Sequence, residues 1–133
     1  RSLIERLSKS YPYLVIDNEA GMEHLSRRTT RKIDLLFLVS DYSLVGLRSA
    51  KRILDLSREL NLTVKNVKLI INRGPQKLNQ VEKEIAKIGV PLAGVIPEDK
   101  ELIKLSLESG NIKSLSRESK AQKAVAKICG EVI

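Results

Sequence analysis

Apolar and polar positions alternate along this chain at two different periods, and the switches between them mark its elements. Leu3, Ile4 and Leu7 predict a short amphipathic helix that ends near Tyr11-Pro12, because the residue before proline disfavours the helical region. Leu14 to Asp17 then reads as an apolar strand. Glu23 to Lys32 is polar and reads as helical. Leu35 to Ser40 and Val67 to Ile71 are continuous apolar runs, the pattern of strands buried on both faces. Between them, Leu47, Ala50, Leu54 and Leu60 supply the stripe of a helix. Leu78, Val81, Ile85 and Ile88 recur at spacings of three and four, a further helix. Leu92 to Ile96 is the last strand. Pro97-Glu98-Asp99 opens a helix with acids in its first turn, and Ala121, Val125, Ile128 and Val132 mark the final helical stripe.

Strand and helix in alternation predict an α/β fold: a mostly parallel sheet with helices on both faces. In such sheets ligands bind beyond the carboxyl ends of the strands. The residues there are Asp17-Asn18-Glu19, Ser40-Asp41, Asn72-Arg73 and Pro97-Glu98, all polar or turn-forming. Their convergence predicts one site.

Composition narrows the class. The chain has 133 residues, enough for one domain or part of one. Aromatics make up only 3%, so Ile, Leu and Val must fill the core. The single cysteine, Cys129, excludes an internal disulfide and a cysteine cage within one chain. A reducing compartment, the cytoplasm, fits that usage, and Cys129 itself reads as a small core residue. No apolar run is long enough to span a bilayer, and no membrane partner is expected. The net charge of +8 could steer the protein toward an anionic partner. Its densest basic cluster, Arg27, Arg28, Arg31 and Lys32, has no aromatic platform beside it, so nucleic acid is not the expected ligand.

The most informative segment is Val15-Ile16-Asp17-Asn18-Glu19-Ala20-Gly21. An aspartate at the end of an apolar strand, with a glycine four residues later, has the form of a Walker B strand leading into a nucleotide-sensing switch. A carboxylate fixed there can hold Mg²⁺ through water. Gly21 has no Cβ, so its N–H can approach a phosphate oxygen. None of the seven glycines precedes a lysine, so the Gly-rich lysine loop that cradles phosphates is not in this sequence. The chain, which starts at Arg1, is therefore read as the C-terminal part of a single nucleotide-binding domain, with the phosphate loop elsewhere.

Asp17 to Gly21, Ile71-Asn72-Arg73 and Gly94 to Asp99 resemble, in order and spacing, three segments of the MinD/ParA-type P-loop ATPases. The stretch from Asp17 to Thr29, with Ala20-Gly21-Met22-Glu23-His24-Leu25 inside it, resembles the CooC branch, ATPases that help load nickel into carbon monoxide dehydrogenase. The resemblance implies ATP and Mg as cofactors, nickel in a full-length homodimer, and a carbon monoxide dehydrogenase-type client. It also implies roles. Asp17 holds Mg²⁺ through water, Gly21 senses the γ-phosphate, Asn72 bonds the adenine with Arg73 beside it, and Pro97 and Glu98 line the base pocket. Glu19 either positions the attacking water or caps the next helix. His24, the one histidine, is a metal ligand, a proton carrier or an ordinary helix residue. Asn72 also suits a plain strand-end turn.

Two family features are missing, the phosphate loop and the Cys-x-Cys pair of CooC dimers. Without the loop, this chain alone should bind ATP weakly and hydrolyse it negligibly. The family's phosphate-loop strand would fill a lane between the Leu14–Asp17 strand and the Leu35–Ser40 strand, which this chain should leave empty. The other readings of the same fold are a ParA/MinD-type positioning ATPase and a non-enzymatic interaction domain.

Overall fold

The structure, a computed structural model, describes residues 3–18 and 32–132. Its centre is a parallel sheet of strands β1 (Lys32–Asp41), β2 (Thr63–Asn72) and β3 (Leu92–Ile96), in the order β1-β2-β3. The β1–β2 register runs unbroken from Lys32 opposite Thr63 to Asp41 opposite Asn72. The β2–β3 register runs from Leu69 opposite Leu92 to Asn72 opposite Ile96, with one irregularity between Leu69 and Ile70. Among the described residues the helices are α1 (Leu3–Ser10), α2 (Leu44–Glu59), α3 (Glu82–Ile88), α4 (Lys100–Leu107) and α5 (Lys120–Val132), with a 3₁₀ turn at Ile112–Ser114.

Local chemistry explains the boundaries. Ser43 sits in extended conformation before α2, and its Oγ accepts the Gly46 N–H at 2.9 Å, a standard N-cap. The buried residues of α2, Leu47, Ala50, Leu54 and Ser57, recur at three and four. Gly89 ends α3 in the left-handed conformation (φ 73°) that glycine adopts without strain. The core lies between one sheet face and helices α2 and α3. Leu38, Leu69 and Ile71 of the strands meet Leu47, Leu54, Val81 and Ile88 there.

The opposite face is covered differently. Helix α5 packs over β3, where Ile128 lies against Gly94 so closely that a Cβ there would stand 2.7 Å from Ile128 Cγ1. Nothing among the described residues extends that cover across β1, and Val39 is 59% exposed. The expectation that the Leu35–Ser40 strand is buried on both faces is thus corrected: Leu38 and Ser40 are buried, and the side chain between them faces out.

The N-terminal reading needs a larger correction. Leu14 to Asp17 is not a strand. Tyr11 to Asn18 has no regular structure and is exposed, with Val15 at 91%. A strand is held by ladder bonds to a neighbour, and the sheet of the described residues contains β1, β2 and β3 alone. The expected empty lane between two strands is therefore not formed, and β1 is itself an edge of the sheet among the described residues. The helix expected at Glu23 to Lys32 lies outside the described residues, except Lys32, which begins β1.

Candidate functional site

The three strands end together. Asp41 of β1 is opposite Asn72 of β2, and Asn72 is opposite Ile96 of β3, so the last residues form one row across the sheet. Beyond this row lie Arg73 and, after β3, Pro97 and Glu98. Four expected site residues, Asn72, Arg73, Pro97 and Glu98, are thus brought to one end of the sheet. Asn72 and Pro97 are half-buried, whereas Arg73 and Glu98 are exposed.

Close packing fixes this end. Gly74, just past β2, donates its N–H to the Ile96 carbonyl at 3.1 Å, tying the two strand exits together. A Cβ at position 74 would lie 2.7 Å from Ile71 Cγ2 and 2.9 Å from Val95 Cγ1. Only glycine lets the backbone come so near. Arg73 takes a positive φ of 54°, uncommon for a residue with a side chain. The left-handed backbone thus falls at the residue expected to flank a ligand.

On the β1 side an open groove of about 550 Å³ is lined by Ser40, Asp41, Ser43, Gly46, Asn72 and Arg73 among others. Ser43 Oγ donates to Asp41 Oδ1 at 2.6 Å while accepting the Gly46 N–H. The groove so combines a carboxylate, hydroxyls, a side-chain amide and a guanidinium. That set suits the hydrogen-bonding edges of a base or sugar. Ser40-Asp41 is recognisable in the sequence only as a polar strand end, with no role attached. The signal for Ser43 was present, a serine just before a helical stripe.

The loop after β3 is anchored more firmly still. Asp99 is 8% exposed and accepts four hydrogen bonds. Its Oδ1 takes the Glu101 and Leu102 N–H groups at 2.9 and 3.3 Å, capping α4. Its Oδ2 takes Ser119 Oγ at 2.6 Å and the Ala121 N–H at 2.9 Å, at the start of α5. These bonds stabilise the ionised form. The Ala121 amide contributes most, then the Ser119 hydroxyl, and together they outweigh burial and lower the carboxyl to about 2.

The remaining expected residues stand apart. Asp17 lies in the exposed irregular segment and does not line the groove. Asp17 is therefore not the carboxylate fixed at a strand end that the sequence predicts for holding Mg²⁺. Glu19, Gly21 and His24 lie outside the described residues. Among the described residues no three or more of His, Cys, Asp and Glu gather where they could hold a metal ion, so they do not fit a nickel site. Cys129 is half-buried on α5. No helix among the described residues is long and apolar enough to cross a membrane.

No family model matches the chain. It is 35% identical, over its whole length, to an uncharacterized ATP-binding protein of Methanocaldococcus jannaschii, of which it covers 53%. It is 30% identical over 109 residues to the septum site-determining protein MinD of a Synechocystis species, with 77% of this chain and 40% of that protein aligned. Among solved structures, a ParA family ATPase from Chlorobium tepidum superposes with a TM-score of 0.75 at 26% identity, covering 98% of this chain and 54% of that one. The chain thus spans about half the length of the curated relatives it matches. Its relatives are ATP-binding proteins and MinD/ParA-type ATPases, and its α/β fold is theirs.

Proposed function

We propose that this chain is the base-binding part of an ATP-binding domain of the MinD/ParA type, the C-terminal part of a single nucleotide-binding domain. The observation that carries this reading is the row Asp41–Asn72–Ile96, with Arg73 and Pro97-Glu98 just beyond it, at the carboxyl end of a parallel sheet. The side-chain amide of Asn72 offers one donor and one acceptor to an adenine edge. Arg73 flanks the base, and Pro97 and Glu98, which lie beyond β3 and outside the lining of the β1-side groove, would meet the base from the β3 side. The roles of Asp17 with Mg²⁺ and of Gly21 with the γ-phosphate rest on the family resemblance alone. A bound Mg²⁺ would neutralise charge on the phosphates during hydrolysis.

The finer reading is an ATP-hydrolysing accessory protein for nickel-centre maturation of carbon monoxide dehydrogenase. It rests on the resemblance of Asp17 to Thr29 to the CooC branch. In that reading an ATP-held homodimer carries the metal, and hydrolysis releases it to the client. A positioning ATPase is the second reading, supported by the similarity to proteins named MinD and ParA.

The test of nucleotide reading is Asn72→Ala in the intact protein that carries this chain, titrated calorimetrically with Mg-ATP and Mg-GTP. Loss of one base-edge contact should reduce the preference for ATP about tenfold, since each such step is about 1.4 kcal/mol. An unchanged preference would leave Asn72 as a turn residue. Equilibrium dialysis against nickel with and without ATP, beside hydrolysis assays with lipid vesicles or duplex DNA, separates the two finer readings.

A further inference from the structure

We propose that Asp99 and Ser119 are positioning residues for base recognition, holding the Pro97-Glu98 loop through helix α5. The proposal rests on the reading of that loop as nucleotide-facing.

The loop is bracketed by two fixed points. On one side, the Ile96 carbonyl accepts the Gly74 N–H and Ile96 pairs with Asn72. On the other, Asp99 is held by four donors from two helices. Only Pro97 and Glu98 lie between, and proline fixes its own φ. Few conformations satisfy both anchors, so the anchors set where these residues stand relative to Asn72.

One anchor belongs to a distant part of the chain. Ser119 and Ala121 lie twenty or more residues beyond Asp99 and bring the N-terminus of α5 to it. The same helix is seated on β3 by Ile128 against Gly94. Helix α5 therefore grips both the last strand and the loop that leaves it. A cap serving α4 alone would need only Oδ1. The engagement of Oδ2 by α5 is the part that local helix capping does not require. Ser119 Oγ also accepts the Gln122 N–H at 3.2 Å, so the hydroxyl is fixed as well as fixing.

The experiment uses the intact protein carrying this chain and four forms: wild type, Ser119→Ala, Ser119→Thr and Leu54→Ala. Leu54, on the buried face of α2, belongs to neither the Asp99 hydrogen-bond set nor the groove lining and serves as a destabilising control. Thermal midpoints and the ratio of Mg-ATP to Mg-GTP affinity are measured for each. Ser119→Ala should lower the ratio about tenfold, the scale of one displaced hydrogen bond. Ser119→Thr, which keeps the hydroxyl, should restore most of it. Leu54→Ala should lower the midpoint at least as far and leave the ratio unchanged. A wild-type preference that Ser119→Ala does not move, or that Leu54→Ala moves equally, overturns the proposal alone. A wild-type ratio near one overturns the base-recognition reading and the proposal together.

Discussion

Replacing Gly74 by alanine probes the junction on which the site is built. The new methyl would stand 2.7 Å from Ile71 Cγ2 and 2.9 Å from Val95 Cγ1. Both neighbours are β-branched and stiff at χ1, and Ile71 is fully buried. Relief must come from the backbone, by moving the β2 exit away from β3. Overpacking of this kind costs about 1–3 kcal/mol. Stretching the Gly74 N–H to Ile96 bond adds about 1 kcal/mol. Position 74 is not in the left-handed region, so alanine also restricts the unfolded chain, offsetting about 0.4–1 kcal/mol. The net loss is about 1–3.6 kcal/mol, a fall in thermal midpoint of roughly 4–14 °C for a chain of this size. Circular dichroism melts of the two proteins measure it directly. A midpoint equal to or above that of the wild type would refute the close-approach argument.

Gly130, near the end of α5, has no atom within 4 Å of where its Cβ would be, so Gly130→Ala should raise stability by up to about 1 kcal/mol; a lower midpoint would show a contact at that face. The Asp99 carboxyl is depressed to about 2 in the folded chain, so its contribution is complete above an unfolded pKa of about 3.9 and is lost as pH falls from there toward about 2. Urea midpoints of the wild type should therefore decline more steeply than those of Asp99→Asn in that window, and parallel curves would count against the four-bond arrangement. The isolated 133-residue chain, with β1 an edge among the described residues, should self-associate in light scattering; a stable, monodisperse monomer would argue that the edge is covered.

Strands β2 and β3 and helices α2 and α5 were legible because their apolar patterns are local properties of the sequence. Both β1 and β2 extend further than their apolar runs, starting at Lys32 and Thr63. Ladder bonds join backbones whatever the side chain, so Phe37 pairs across to Lys68 as readily as Leu38 to Leu69. Leu14 to Asp17 has the composition of a strand, but strand formation depends on a partner that no local pattern specifies. At the site, strand-end polarity placed Asn72, Arg73, Pro97 and Glu98 together. Asp99 was legible as the opening of α4, since acids favour a first turn. Its hold on Ser119 was not, because that contact depends on how α5 returns over β3. The roles of Glu19, Gly21 and His24 fall outside the described residues.

The agreement between chain order and sheet order has a kinetic consequence. Each strand pairs with the next one made, and a single helical crossover joins each pair. Among the described residues no strand pairing waits for a distant segment, so loop-closure entropy stays small and contact order low for a parallel sheet. The nucleus can therefore form by zipping outward from β2, the central strand whose Leu69 and Ile71 are fully enclosed. Residues 32–96 should thus acquire protection early and as one unit, with α5 docking afterwards and closing the loop that carries Pro97 and Glu98.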